Sequence, residues 1–155
     1  MKLERVALLL LRLYVGYLFL TAGWQKWTAD PSFTTGEALG TFLNKCLTDA
    51  TPGTISAALI QSYYLPHVKL LAWFVVLGEL GVGAALLTGT ATRIACAAGI
   101  VMNSSFFLAT NGSFASFDNN AFFILIQLVL LTTAAGRFFG VDYFLSKKFS
   151  NNYLW

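Results

Sequence analysis

Charge is scarce in this chain. Asp, Glu, Lys and Arg make up 11% of its 155 residues, where an ordinary globular domain is roughly a quarter charged. Histidine occurs once, as His67, so a haem held by two histidines of one subunit is excluded. The two cysteines, Cys46 and Cys96, form no CxxC pair. That rules out a vicinal dithiol and a cysteine cluster for zinc or iron–sulfur binding, and no metal site is expected. His67 alone offers one imidazole to a pigment or haem metal, but a single histidine just after a proline is more simply a solvated side chain. The net charge of +3 and pI near 9.0 come from ten scattered basic residues with no dense patch, which argues against a nucleic-acid partner.

Apolar sequence is what the chain has in abundance. Hydrophobic residues reach 57% and the mean hydropathy is +0.67. A soluble fold of this size has too much surface to cover with so few charges, so the chain reads as an all-α polytopic protein of the cell membrane, in contact with lipid. Four apolar runs give approximate spans at 6–23, 68–87, 94–109 and 120–138, within one transmembrane domain covering 1–155. The first run has Lys2 and Arg5 ahead of it, as a signal peptide would. It is longer than an h-region, holds Arg12 and ends in "TAGWQKW" without an A-x-A site, so it reads as a retained span. Only one connection is long, 24–67. Within it, Leu39, Phe42, Leu43 and Leu47 mark a short amphipathic helix lying on the surface or tucked into the bundle, and Ile55–Tyr64 a second helical piece. Trp24, Trp27, Tyr63 and Tyr64 read as interfacial anchors.

With both termini on one side, that side carries Lys2, Arg5, Arg93, Arg137, Lys147 and Lys148, and the other Lys26, Lys45 and Lys69. The excess places both termini in the cytoplasm. Cys46 falls in the outer connection, where it is available to pair with another subunit, while Cys96 in "IACAAG" reads as a small packed hydrophobe.

The few charges inside the spans are therefore informative. "WFVVLGELGVGAALLTG" (Trp73–Gly89) contains a single ionisable side chain, Glu79. A charge at the bilayer centre costs on the order of 3 kcal/mol on insertion scales. By helical rise, Glu79 sits about 12 Å from Leu87, Arg12 about 9 Å in from Val6, Asn103 about 14 Å from Ile94 and Gln127 about 12 Å from Ala135. Arg12, Glu79, Asn103 and Gln127 thus reach nearly one level and form a buried polar layer, with an Arg12–Glu79 pair removing most of the cost. Such a pair either fixes helix register or handles ligands and protons, and the residues alone leave both open. Arg12, Gly16, Gly23 and Lys26 share one stripe, and the Gly81/Ala85 and Ala95/Gly99 pairs permit close helix approach. A second group, Gln25, Lys26, His67, Asp118, Asn119 and Asn120, gathers at the opposite side of the membrane, with a Lys26–Asp118 pairing within reach. It suits a quinone ring or an anion walled by aromatic side chains, and it equally suits an ordinary interfacial belt.

Three stretches together resemble the DoxX family of small membrane proteins: "LRLYVGYLFLTAGWQK" (Leu11–Lys26), "GELGVGAALLTGTATR" (Gly78–Arg93) and "AGRFFGVDYFL" (Ala135–Leu145). The resemblance implies a four-helix membrane bundle, with Arg12, Gly16, Gly23, Lys26, Glu79 and Arg93 at characteristic positions. The family includes the DoxD-type subunit of a thiosulfate:quinone oxidoreductase, and other members are linked with redox assemblies. The resemblance implies a redox subunit for quinone-linked electron transfer from a small reductant, with quinone as the candidate cofactor and other protein subunits as partners, either a membrane complex or one small soluble or membrane redox protein. The alternative is a non-catalytic accessory subunit of a respiratory or photosynthetic complex, holding lipid or pigment. A transporter is a weaker reading, because four short spans leave little room for alternating access.

Overall fold

The computed structural model describes residues 3–112 and 118–149, and among them every regular element is helical. The elements are α1 (Leu3–Thr28), α2 (Pro31–Thr35), α3 (Glu37–Asp49), α4 (Ile55–Leu59), α5 (Val68–Thr88), α6 (Thr92–Ala109), α7 (Asn119–Thr132) and α8 (Val141–Lys148). Lys2 of the orientation count lies outside the described residues.

Three rods are long and apolar enough to cross a membrane: α1, the 34-residue stretch Ile55–Thr88, and α6. The second rod begins well before Val68, which corrects the expected length of the first connection. From α4 the chain passes through a π turn (Ile60–Tyr64) and a 3-10 turn (Leu65–His67) directly into α5. Pro66 is the reason for the change in winding. It supplies no N–H and crowds the preceding turn, and the helix widens there, the Leu65 N–H reaching the Ile60 carbonyl. At the other end α1 carries Trp24 and Trp27 on its last turns, so the true connection is 29–54.

α7 is shorter than the expected 120–138 span. Its 14 residues rise about 21 Å. It ends because Ala134 turns left-handed (φ 47°) and a 3-10 turn, Ala135–Arg137, follows. Asp118 starts it, its carboxylate accepting from the Asn120 and Ala121 N–H groups.

α1 and α5 pack antiparallel and very closely. Gly16 lies against Leu86 and Leu87, Gly83 against the backbone of Leu20, and Gly23 against Glu79 and Leu80. A Cβ on Gly83 would stand 2.7 Å from Leu20 Cα, so the helices can approach this far only with glycine there. Gly83→Ala is expected to cost about 2 kcal/mol, read as a lower unfolding temperature in detergent. An unchanged midpoint would show that the two helices are free to separate.

Two apolar cores result. One joins α1, α5, α6 and α7 through Val15, Phe19, Val82, Leu86, Cys96 and Leu130. The other lies under α3, whose Leu39, Leu43 and Cys46 pack inward with Ile60, Ala72 and Val76. The amphipathic helix is therefore tucked into the bundle. Cys46 is buried rather than offered to another subunit, and burial together with nearby Asp49 pushes its thiol up from the ordinary cysteine value. Fewer thiolates exist at a given pH, so maleimide labelling of Cys46 at pH 8 is expected to run at least about tenfold slower in the folded protein than in dodecyl sulfate. Equal rates would place the thiol in solvent.

Candidate functional site

Lys26 and Glu79 meet at the open end of the α1–α5 pair. The last turns of α1 carry Lys26 over α5, and Gly23 one turn earlier lets the backbones come close enough for the contact. Lys26 Nζ donates to both carboxylate oxygens of Glu79, at 2.7 Å each. The side chains retain 27% and 12% of their exposure, and what they face is a cavity of about 420 Å³. Lys26 Nζ also lies 5.5 Å from the centre of the Phe33 ring on α2, a cation–π contact that adds to its anchoring.

The cavity collects residues from six helices, α1, α2, α3, α5, α6 and α7. Its polar lining is Lys26, Glu79, Asn103, Asn119 and Asn120, and its aromatic walls are Phe19, Phe33, Phe42, Phe106 and Phe123. Phe19 and Phe123 meet edge to face at 5.6 Å, as do Phe42 and Phe106 at 6.1 Å, which fixes the walls. Asn103 is oriented from behind. Its amide donates to the Gly99 carbonyl at 2.9 Å and to Gln127 Oε1 at 3.2 Å, and Asn103 is one of the residues facing the cavity. Gln127 is completely buried, and its Nε2 has no partner among the described residues.

The two groups of residues read from the sequence are thus redistributed. Glu79 and Asn103 of the polar layer join Lys26, Asn119 and Asn120 of the rim in one cavity, with Gln127 behind Asn103. The Arg12–Glu79 pair does not form. Arg12 donates instead to the carbonyls of Ala135 (3.0 Å) and Phe139 (2.5 Å). The reason is register: Arg12 packs beside Gly89, ten residues along α5 from Glu79, or about 15 Å. The depth count aligned Val6 with Leu87, whereas Leu87 lies against Gly16, about ten residues out of step. Nor does Lys26 pair with Asp118, whose carboxylate is used as the N-cap of α7. Gln25 and His67 point outward and line no cavity with Lys26. His67 Nδ1 stands 3.0 Å from the Tyr63 carbonyl. Among the described residues no three His, Cys, Asp or Glu side chains converge.

One role was missed altogether. Asp142, 1% exposed, accepts from the backbone N–H groups of Ala91 (2.7 Å) and Thr92 (2.8 Å) and so caps α6. Together with Arg12 it ties the "AGRFFGVD" segment to the α5–α6 turn. Gly136 makes this possible, since a Cβ there would run into Thr92 and the Asp142 carboxylate. The available signal was an acid in one of the three stretches that resemble the DoxX family. Phe33 carried no signal at all, because only the packing of α2 brings it over Lys26.

These features define an all-helical membrane protein with a polar-floored aromatic cavity opening at one end of its central helix pair. The DoxX family model matches residues 7–112, more than half of the chain, and spans α1 to α6 with both Lys26 and Glu79. The chain belongs to the DoxX family. No curated protein and no solved structure matches it.

Proposed function

We propose that this protein is a quinone-linked subunit of a membrane redox assembly, and that the cavity beside Lys26 and Glu79 receives the quinone head. The observation that carries the reading is the convergence of one ion pair and three amides on an aromatic cavity of about 420 Å³. That volume and mixture suit a ring-sized polar head better than an ion or a soluble sugar. The supporting architecture is a four-helix, multi-pass bundle. α1 pairs with α5, and Arg12 ties the cytoplasmic half of α1 to the end of α7, so both termini fall on one side. The excess of Lys and Arg there argues for the cytoplasm.

A bound quinone supplies a two-electron, two-proton acceptor. The chain's own part is to hold and orient it. Lys26 offers its ammonium proton to a ring oxygen, Asn103 is held in place by Gly99 and Gln127, and the Glu79 carboxylate orients that ammonium and takes up the proton that replaces the one given. The aromatic walls exclude water and grip the ring face. Electrons arrive from a partner subunit, which this reading requires.

The test is equilibrium binding of a soluble short-chain benzoquinone to the detergent-purified protein and to Glu79→Gln, with thermal unfolding as the control for folding. Binding by the native protein that falls at least about tenfold in the variant is expected. Unchanged binding would sink the assignment. It would favour instead an accessory subunit that holds lipid or pigment, identified by large subunits co-purifying from native membrane.

A further inference from the structure

A second cavity, also about 420 Å³, lies between α3, α5 and α6. It is walled by Leu43, Leu71, Phe74, Val75, Val101 and Ala109, and it shares Leu39, Met102 and Phe106 with the cavity beside Lys26 and Glu79. The two spaces are thus separated by a few side chains. Met102 lies across Gly78 of α5, where a Cβ would stand 3.3 Å from its sulfur. Methionine is unbranched and changes shape at low cost, so this wall can yield. α3 covers the partition from the outer side, its Leu39 and Leu43 facing in.

The chemistry changes sharply across the shared wall. On one side stand an ammonium, a carboxylate and three amides. On the other, the polar side chains are Tyr64 and Ser105, and the Ser105 hydroxyl is already donated to the Val101 carbonyl. A molecule filling both spaces needs a polar ring at one end and a hydrocarbon chain at the other.

We propose that the second cavity is the site for the hydrocarbon tail of the same amphiphile, threaded between Met102 and Phe106 beneath α3. This rests on the head-site reading above. The tail, not the ring alone, then supplies most of the affinity, since each buried methylene contributes about 0.8 kcal/mol. The cavity's size sets the preferred chain at a few isoprene units' length, any remainder passing out between α5 and α6 into the bilayer.

The test uses the full-length protein in nanodiscs and two photoprobes. One is a decyl benzoquinone carrying a terminal diazirine, and the other is a hydrocarbon with the same diazirine and no ring. Ala98 lines the second cavity and is exposed, so Ala98→Phe fills it without disturbing the core. The expected result is that the quinone probe labels α3, α5 and α6 around Leu43, Val75 and Val101, and excess tail-less benzoquinone suppresses that labelling. Ala98→Phe should reduce it at least about tenfold, while tail-less benzoquinone binds the variant within about twofold of the native protein. Labelling that benzoquinone suppresses but that falls elsewhere, or that Ala98→Phe leaves intact, would overturn the tail site and keep the head site. If the ring-free probe labels the cavity equally well and benzoquinone suppresses neither probe, the head-site reading falls, and the proposal with it.

Discussion

Lys26→Met is expected to destabilise the protein by roughly 3 kcal/mol, the low end of the range for breaking a buried ion pair. Glu79 would then keep a carboxylate among Phe19, Phe33 and Phe106 with its bidentate partner gone. The figure stays low because Lys26 and Glu79 keep some exposure, so water reaches part of the carboxylate. Combining Lys26→Met with Glu79→Gln removes both charges and is expected to recover most of the lost stability, because no unpaired charge remains. Benzoquinone binding should not recover. A purely structural pair behaves differently: the double variant would regain stability and binding together, and that result would remove the ion pair from the site. Thermal unfolding and binding, measured on the two variants side by side, separate the cases.

Arg12→Met should cost about as much, close to 3 kcal/mol, for another reason. The guanidinium satisfies two backbone carbonyls, on Ala135 and Phe139, in a segment where α7 has already ended and no helix supplies donors. Buried carbonyls without donors cost about 1–3 kcal/mol each before relaxation. Arg12→Lys is expected to recover less than half of this, since one ammonium on a flexible stem replaces a rigid fork of donors. Hydrogen exchange should rise in 135–142 in both variants. Tail-less benzoquinone binding should stay near the native value, because Arg12 lines neither cavity. A large loss of binding in Arg12→Met would instead couple the two ends of the bundle.

Several parts of the fold were legible from residue patterns. The apolar runs located α1, α5 and α6 to within a few residues, because a run of that length with so few charges has no other stable home. The Leu39, Leu43 and Leu47 periodicity found α3. Burial of Glu79 followed from its isolation in apolar sequence and that of Asn103 from its depth along α6. The glycines of "GYLFLTAG" marked the α1 side of the tight α1–α5 interface; on α5, Gly81 of the Gly81/Ala85 pair faces open space and Gly83 makes the contact instead. The C-terminal end of α7 was not legible. No proline or glycine stops it at Thr132; the break at Ala134 is held by Arg12, which lies 123 residues away along the chain from Ala135.

What the sequence by itself determined was that this is a helical membrane protein, which residues are too polar to sit in it unpaired, and its family. Partner choice was decided only by tertiary structure. Two cations, Arg12 and Lys26, share one stripe of α1, and depth counted along each helix separately gave Glu79 to Arg12 and left Lys26 to Asp118. Antiparallel register is set by where Gly16, Gly23 and Gly83 let two backbones touch, and no count along one helix contains that information. Once the glycines fix it, Lys26 reaches the carboxylate, Arg12 is left facing carbonyls, and the cavity forms where the ion pair, the α6 amide and the aromatic rings of α2 and α7 converge.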